Sequence, residues 1–359
     1  MATLTINTKT ICDNIVKLQN YLDKHNIQWT LVTKMLCGNE KALEKIIPSA
    51  CIKNLHSVGD SRITNLRIIK EIKPDVVTMY IKPPALNQVK NVIKYADISL
   101  NSSFKTIEAL NKEAGDKGKI HRVIVMIEMG ELREGVLRDN IFSFYEKVFK
   151  LDNIEIIGLG TNLGCMYGIE PTYDKLIQLS LYKNLIESRF DHKLELVSGG
   201  SSITLPLVSK GKVPKEVNHF RIGEAALLGV SPLNGKKYRN LSTNAINFKA
   251  EILELYKKER VPDGIIGDGA IGEIANLNEE LSSESYRCLV DFGQLDVDSQ
   301  NLYPKDEKVE FVGTTSDMTV YDLGEKNTKY HVHDQLHFRP NYMSIARIMN
   351  SRYMSKDIT

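Results

Sequence analysis

The sequence has little of what would tie a chain to a membrane, to a nucleic acid or to an oxidising compartment. No run of 18 apolar residues occurs anywhere, so no stretch reads as a membrane-spanning helix. The N-terminus, MATLTINTKTICDNIVKLQ, lacks a cationic flank followed by an apolar segment, so it does not read as an export signal. Net charge is only +2 and no basic run stands out, which argues against a phosphate-polymer partner. The cysteines, Cys12, Cys37, Cys51, Cys165 and Cys288, are odd in number and scattered without a CxxC pair, the usage of free thiols in a reducing compartment. These absences lead to the expectation of a cytoplasmic protein with no nucleic-acid or membrane partner. Short-period repeats and low-complexity tracts are missing too, and no disordered tail is expected beyond the last few residues.

What is present is enough apolar material, 42% of 359 residues, for a large core, one big domain plus a smaller one. Ile11, Ile15, Leu18 and Leu22 recur at steps of four, three and four, placing them on one face of a first helix. Next comes WTLVTKMLCGN, 29–39, where a β-rich run ends at Lys34, Gly38 breaks the pattern and Asn39 suits the cap of a helix over Glu40 to Ile47. Strand-like runs then start near Cys51, Asp75, Ala96, His121, Ile154, Leu194 and His219, with helical patterns between, such as Asp60 to Ile72, Phe104 to Ala114 and Tyr173 to Ser188. Counting the Lys34 strand, about 230 residues hold eight β/α units, which predicts an α/β fold with an N-terminal (β/α)8 TIM-type barrel over 1–235. A doubly wound open sheet is the alternative, and it too would gather ligands at the carboxyl ends of its strands. Past Pro232 to Gly235 the rhythm changes. Strand-like runs at Ile246 to Tyr256, Tyr286 to Phe292, Val309 to Gly313, Met318 to Leu323 and Tyr330 to Phe338, with a helical stretch over Tyr342 to Asn350, predict a C-terminal mostly-β domain over 236–359.

In a barrel the residues just after each strand share one mouth. In chain order these are Lys34; Gly59 to Arg62; Arg133 in GELREG; Asn162 in GTNLG; Ser198 to Ser202 in SGGSS; and Arg221 to Glu224 in RIGE. Lys34 alone could simply carry its charge to water. Turns after the seventh and eighth strands, however, often bind phosphate: Gly199 and Gly200 permit close approach, and the Ser201 and Ser202 hydroxyls with the Gly223 and Glu224 amides can donate to phosphate oxygens. A phosphate anchor facing a reactive lysine points to pyridoxal 5'-phosphate, PLP, whose chemistry needs both.

LVTKMLCGN, DSRITNL, ADISLNS, GELREG, GTNLGCMYG, VSGGSS, FRIGEAALLG, VGTTSD and a late tyrosine occur in the order that resembles the ornithine racemase branch of the PLP-dependent alanine racemase family, fold type III. The resemblance implies that Lys34 carries the cofactor as a Schiff base and serves as one acid/base, and that Arg221 faces its pyridine nitrogen. A guanidinium keeps its proton, so it donates there and leaves the ring nitrogen unprotonated, which favours reprotonation at Cα over transamination. The bland reading of Arg221 is a pair with a carboxylate such as Glu224. Arg133 matches the arginine near the cofactor's phenolic oxygen and the substrate carboxylate. The modified lysine that supports it in related alanine racemases is Met126 here, which leaves Glu131 or Glu134 as its support. Asn162 falls where alanine racemases have a histidine beside the ring, and Tyr342 matches the tyrosine whose hydroxyl reaches the phosphate.

Racemisation on a planar intermediate generally takes two bases, one per face. The family's second base is a tyrosine that the partner subunit supplies from a Gly-Tyr-x-Asp turn, whereas here DFGQLDVD puts Gln294 there. Ornithine racemases carry a histidine after Ser-Ser-Asp, whereas GTTSDM puts Met318 there. Asp317 is the first substitute, with Tyr167, Cys37 and Cys165 behind it; a one-base mechanism through Lys34, or loss of activity, stays open. Asp291, Asp296, Asp298 and Asp317 could meet a distal ammonium or be solvated turn residues. His331, His333 and His337 fall on one face of an expected strand; without a Cys neighbour they read as a surface strand, and no metal site is expected.

The expectation is thus a PLP-dependent racemase of a free amino acid, ornithine or a similar cationic one. It would act as a homodimer whose β domain completes the partner's active site. The alternatives are a non-catalytic PLP-binding protein and a fold type III decarboxylase, although Cys288 lacks the aspartate neighbour that such decarboxylases show.

Overall fold

The structure is a computed structural model that describes residues 2–265, 272–274 and 284–359. The chain opens with β1 (Thr3–Ile6) and α1 (Thr8–Asp23), then runs β2 (Gln28–Val32), α2 (Glu40–Ile46), β3 (Ser57–Asp60), α3 (Ile63–Ile72), β4 (Thr78–Tyr80), α4 (Val89–Tyr95), β5 (Ile98–Asn101) and α5 (Phe104–Asp116). It continues with β6 (His121–Met126), α6 (Ile141–Val148), β7 (Ile154–Gly160), α7 (Tyr173–Phe190), β8 (Leu196–Ser201), α8 (Leu205–Ser209), β9 (His219–Ile222) and α9 (Glu224–Leu228). The described remainder is β10 (Ile246–Glu259), β11 (Glu273–Ile274), β12 (Glu284–Val290), β13 (Leu302–Pro304), β14 (Glu310–Thr314), β15 (Thr319–Asp322), β16 (Gln335–Pro340), α10 (Tyr342–Asn350) and β17 (Ser355–Ile358). Two compact units divide it: Lys9–Lys34 with Gly38–Thr243, and Met1–Thr8 with Met35–Cys37 and Asn244–Thr359. No described helix is long and apolar enough to cross a membrane.

In the first unit β2 to β9 form a closed parallel barrel, with β9 returning to β2 in the register Trp29 to Phe220. This is the (β/α)8 architecture expected, not the open sheet. The strands read as near-continuous apolar runs because both faces are covered. Met79, Ile98, Leu100, Ile124, Met126, Ile157 and Leu196 pack into one buried cluster. The four periodic residues of α1 are buried to within 1% exposure, and Asn39 caps α2 by accepting from the Ala42 amide at 3.0 Å. Gly38 has φ +72°, a backbone conformation that other residues rarely adopt, so the turn from the Lys34 strand into α2 favours glycine. Two expectations shift. The run from Cys51 starts as a tight turn and becomes strand only at Ser57, and Asp60 ends β3 instead of opening α3. The unit also continues past Gly235 to Thr243, because Asn14 of α1 clamps Ser242, its Nδ2 donating to the Ser242 carbonyl at 2.9 Å and its Oδ1 accepting from the Ser242 amide at 2.7 Å.

The second unit is built on a sheet of nine strands among the described residues, in the order β11-β14-β15-β12-β10-β1-β17, with β16 on β10 and β13 on β16. Along β10 the residues Ile246, Phe248, Ala250 and Ile252 are buried in alternation, the two-residue period of a half-covered strand. Phe248, Phe292, Tyr321 and Phe338 meet edge-on or tilted beneath it, Phe248 and Phe292 at 5.3 Å between ring centres. The first residues join this sheet: β1 pairs antiparallel with β10, and β17 lies parallel beside β1, so the last residues are paired strand. The run expected from Tyr330 becomes strand only at Gln335. His331 and His333 sit in an exposed turn, where the Asp334 carboxylate accepts the His331 amide at 2.7 Å. They therefore share no strand face with His337, and His333 Nδ1 pairs with Glu251 at 2.7 Å instead.

Candidate active site

Within the barrel unit the carboxyl ends of the strands bring together a cationic set with shared neighbours. Lys34 stands two residues after the end of β2. It is exposed to water, yet the crowding protein lowers its pKa, with Arg133 adding to the effect and Cys165, Asp60 and Glu224 opposing it. Burial likewise raises Glu224, against the pull of Lys34, so both neighbours are drawn toward their neutral forms. Asp60, fully buried at the end of β3, accepts from the Thr33 hydroxyl at 2.9 Å, the Arg62 amide at 2.9 Å and the Asn65 side chain at 3.1 Å. Burial raises its pKa, and these donors hold the rise back.

Arg221, at the third position of β9, is buried. Its Nη1 donates to the Ser198 carbonyl at 3.1 Å and to the Ser198 hydroxyl, and its Nη2 to the Thr161 carbonyl at 2.7 Å. Among the described residues no carboxylate pairs with it, so the Glu224 pairing is not what the structure holds. Burial brings its pKa down to about 10, which still leaves the guanidinium charged. Nε and the second N–H of Nη2 meet no acceptor among the described residues.

Arg133 forms a two-pronged pair with Glu134, which raises its pKa, while its Nη1 reaches Cys165 Sγ at 2.7 Å. With the Asn162 amide turned so that both its ends are satisfied, Oδ1 accepts from Nη1 at 3.2 Å and Nη2 at 2.9 Å. The support is therefore Glu134. Glu131 turns instead toward the loop after β7: buried, it accepts the amides of Cys165 at 2.9 Å, Tyr167 at 3.0 Å and Ile169 at 2.9 Å and pins that loop in place. Its burial would raise the carboxyl, and these amides overcome that and lower it. Glu128 accepts from the Gly130 and Leu132 amides at 2.6 and 3.0 Å, which orders the GELREG loop while Leu132 and Arg133 stay exposed. Met126 lies in the barrel's apolar cluster, where no charged support could stand.

The two glycine- and serine-bearing turns are tied together. The Ser202 hydroxyl accepts from the Ala225 amide at 3.1 Å and keeps its own proton to donate, while the Ser201 amide donates to Thr204 Oγ1 at 3.2 Å. Gly200 is forced by close approach, since a Cβ there would lie 2.6 Å from the Phe220 ring. Gly223 precedes Glu224 at the start of α9.

Asp317 and Tyr342 belong to the β unit. Its turns at 292–296 and 315–318 are joined by Gln294 and Leu295 amides donating to Thr315 and Ser316 carbonyls at 2.9 and 3.0 Å. Gln294, Met318 and Asp317 thus share one corner, and Asp317 Oδ1 accepts from Ser316 Oγ at 3.1 Å. Of the other acidic residues, Asp296 is buried and bonded to the Ser351 hydroxyl, and Asp298 accepts from Asn301 at 2.9 Å, both being internal fastenings. Tyr342 opens α10, capped by Asn341. Sequence reasoning missed the roles of Glu128, Thr30, Ser57 and His219. The usable signal was a set of polar residues inside otherwise apolar barrel strands.

The chain matches the model of the family "Alanine racemase, N-terminal domain" over residues 6–232. It is 34% identical over 365 aligned positions to an ornithine racemase of Acetoanaerobium sticklandii, covering 99% of both chains. It is 28% identical to a lysine racemase of Thermotoga maritima, covering 98% of this chain and 97% of that one. Among solved structures, an alanine racemase from Bartonella henselae with covalently bound pyridoxal phosphate superposes with a TM-score of 0.73 at 16% identity, over 100% of this chain and 99% of that one. A D-threonine aldolase from Filomicrobium marinum superposes at 0.70 with 11% identity, over 97% and 88%, so the fold by itself does not choose the reaction.

Proposed function

The chain belongs to the alanine racemase family, and from that premise we propose that it is a PLP-dependent racemase of a free cationic amino acid, ornithine first. The observation that carries the reading is Arg221: a buried guanidinium with no carboxylate partner among the described residues, three of its five N–H donors held by the barrel, and an Nε without a protein acceptor there. Such a donor suits the pyridine nitrogen of PLP, and the residues around it fit the rest of that molecule. When bound, PLP supplies the electron sink that weakens the Cα–H bond of a joined amino acid.

We assign Lys34 to hold the cofactor and to move the Cα proton on one face; its lowered pKa makes the amine easier to deprotonate. Arg221 keeps the ring nitrogen hydrogen-bonded and unprotonated. The hydroxyls of Ser201 and Ser202 and the amides of Gly223 and Glu224 take the phosphate, with the Tyr342 hydroxyl assigned there by resemblance. Arg133, steadied by Glu134 and sharing its Nη edge with Asn162, orients the substrate carboxylate. Asp317 is assigned the proton on the opposite face. The working form is a homodimer in which each β unit completes its partner's site, in the cytoplasm.

The test is incubation of the PLP-loaded protein with L- and, separately, D-ornithine in deuterated water. Deuterium uptake at Cα with loss of optical activity supports the proposal, and borohydride should fix the cofactor on Lys34. Carbon dioxide release would identify a decarboxylase. A coloured but inert protein would identify a PLP-binding protein without turnover, the reading favoured by the lack of a basic side chain at positions 294 and 318.

A further inference from the structure

Beneath Arg221 a file of polar side chains runs through the barrel interior, using groups that the proposed reaction leaves idle. Ser198 Oγ lies 2.8 Å from His219 Nδ1; His219 Nε2 lies 3.0 Å from Thr30 Oγ1; Thr30 Oγ1 lies 2.7 Å from Ser57 Oγ; and Ser57 Oγ lies 3.1 Å from His56 Nδ1. Ser198, His219, Thr30 and Ser57 are at most 2% exposed. Strand register builds the file, since Ser198 pairs with His219 across β8 and β9, and Thr30 with Ser57 across β2 and β3.

The direction of the bonds from Arg221 to Thr30 follows from one end. A guanidinium has donors only, so the Ser198 oxygen accepts from Arg221, and the Ser198 hydroxyl proton must go elsewhere. The neighbouring His219 Nδ1 is the acceptor in reach, so it carries the lone pair and Nε2 carries the proton. Nε2–H then donates to Thr30 Oγ1, whose own proton has Ser57 Oγ at 2.7 Å and Met79 Sδ at 3.7 Å within reach. Reversing the Ser198–His219 link would leave the Ser198 proton without an acceptor among the described residues in a dry interior, where an unmade bond is costly. Burial, with the nearby charges of His56 and Arg221, holds His219 well below its ordinary pKa, and burial with Arg122 brings His56 down to about 4, so both rings are neutral, as the ordering requires of His219.

We propose that His219 is a positioning residue: as the neutral Nε2–H tautomer it fixes the Ser198 hydroxyl as an acceptor for Arg221 Nη1, and so holds the guanidinium with Nε at the mouth side of the barrel for the cofactor's ring nitrogen. The last clause rests on the racemase reading. The tautomer does not, which lets the two fail separately.

The first test is 15N NMR of the histidine-labelled protein without cofactor, with the His219 signals assigned by their loss in H219N. A pyridine-like Nδ1 and a pyrrole-like Nε2, unchanged from about pH 5 to pH 8, are expected for a ring that does not titrate there. An Nδ1–H tautomer or a doubly protonated ring overturns the proposal. The second test compares H219L, which removes the acceptor, with H219N, whose amide oxygen can stand near the place of Nδ1. H219L should shift the visible absorption of the PLP-loaded protein and cut kcat about tenfold with KM little changed, as loss of an outer supporting group does elsewhere. H219N should restore most of both. Equal spectra and rates for all three proteins overturn the positioning role. If H219L does not fold, the NMR result on the unaltered ring still decides.

Discussion

The barrel unit and the β unit treat the polar groups at their strand ends in opposite ways. In the barrel, functional side chains are held by others: Asp60 has three donors, Arg133 has Glu134, and Arg221 has Ser198 and Thr161. In the β unit the corner holding Gln294, Asp317 and Met318 is fastened by backbone bonds and by the Thr314, Thr315 and Thr319 hydroxyls, which donate to the Met318 and Phe292 carbonyls, and among the described residues Asp317 accepts from the short hydroxyls of Thr315 and Ser316. Among the described residues these bonds engage the main chain of residues 294 and 318 and not their side chains, whereas each barrel group depends on specific neighbours.

Four substitutions break or sharpen this contrast. Lys34→Ala removes the proposed anchor and proton carrier together, so racemisation measured by optical rotation should fall by about 10³-fold or more and borohydride should fix no cofactor; near-normal turnover would refute the assignment. Arg133→Lys keeps the charge but loses the fork, and kcat/KM should fall about 100-fold, with KM carrying part of the loss. Met318→His puts a titratable group into that corner, at a residue that is 38% exposed. If the second face limits turnover, kcat should rise about tenfold with a new acid limb in its pH profile, whereas an unchanged rate would mean that another group already serves.

Glu131→Gln should have the smallest effect on rate, a few-fold, because it acts through the loop of Cys165 to Ile169. Its cost is in stability, about 1–3 kcal/mol for weakening three buried bonds. The carboxyl of Glu131 is held below its ordinary 4.5, so its contribution is present above that value and lost as pH falls through the lower folded value. Denaturant midpoints of the two proteins should therefore converge in acid; a constant gap would show that charge plays no part.

Much of the barrel could be read along the chain because each β/α unit carries local signals: the Asn39 cap, the periodic face of α1, the apolar β2. Misreadings fell where local signals were ambiguous. The residues from Tyr330 alternate like a strand, yet Asp334 draws the His331 amide into a turn. The four-residue strands at each end, β1 and β17, have too little pattern to be seen before they find β10 and each other.

Sequence by itself determined the barrel, the lysine just after β2 and the ordered set of mouth residues, because periodicity and turn chemistry act between residues close in the chain. Only the tertiary structure decided that Glu134 and not Glu131 steadies Arg133, that Arg221 is free of Glu224, and that His219 belongs to a directed file of hydrogen bonds. These are choices among nearby donors and acceptors, and they are made by strand register and by the cost of leaving a polar atom unmatched where water cannot reach.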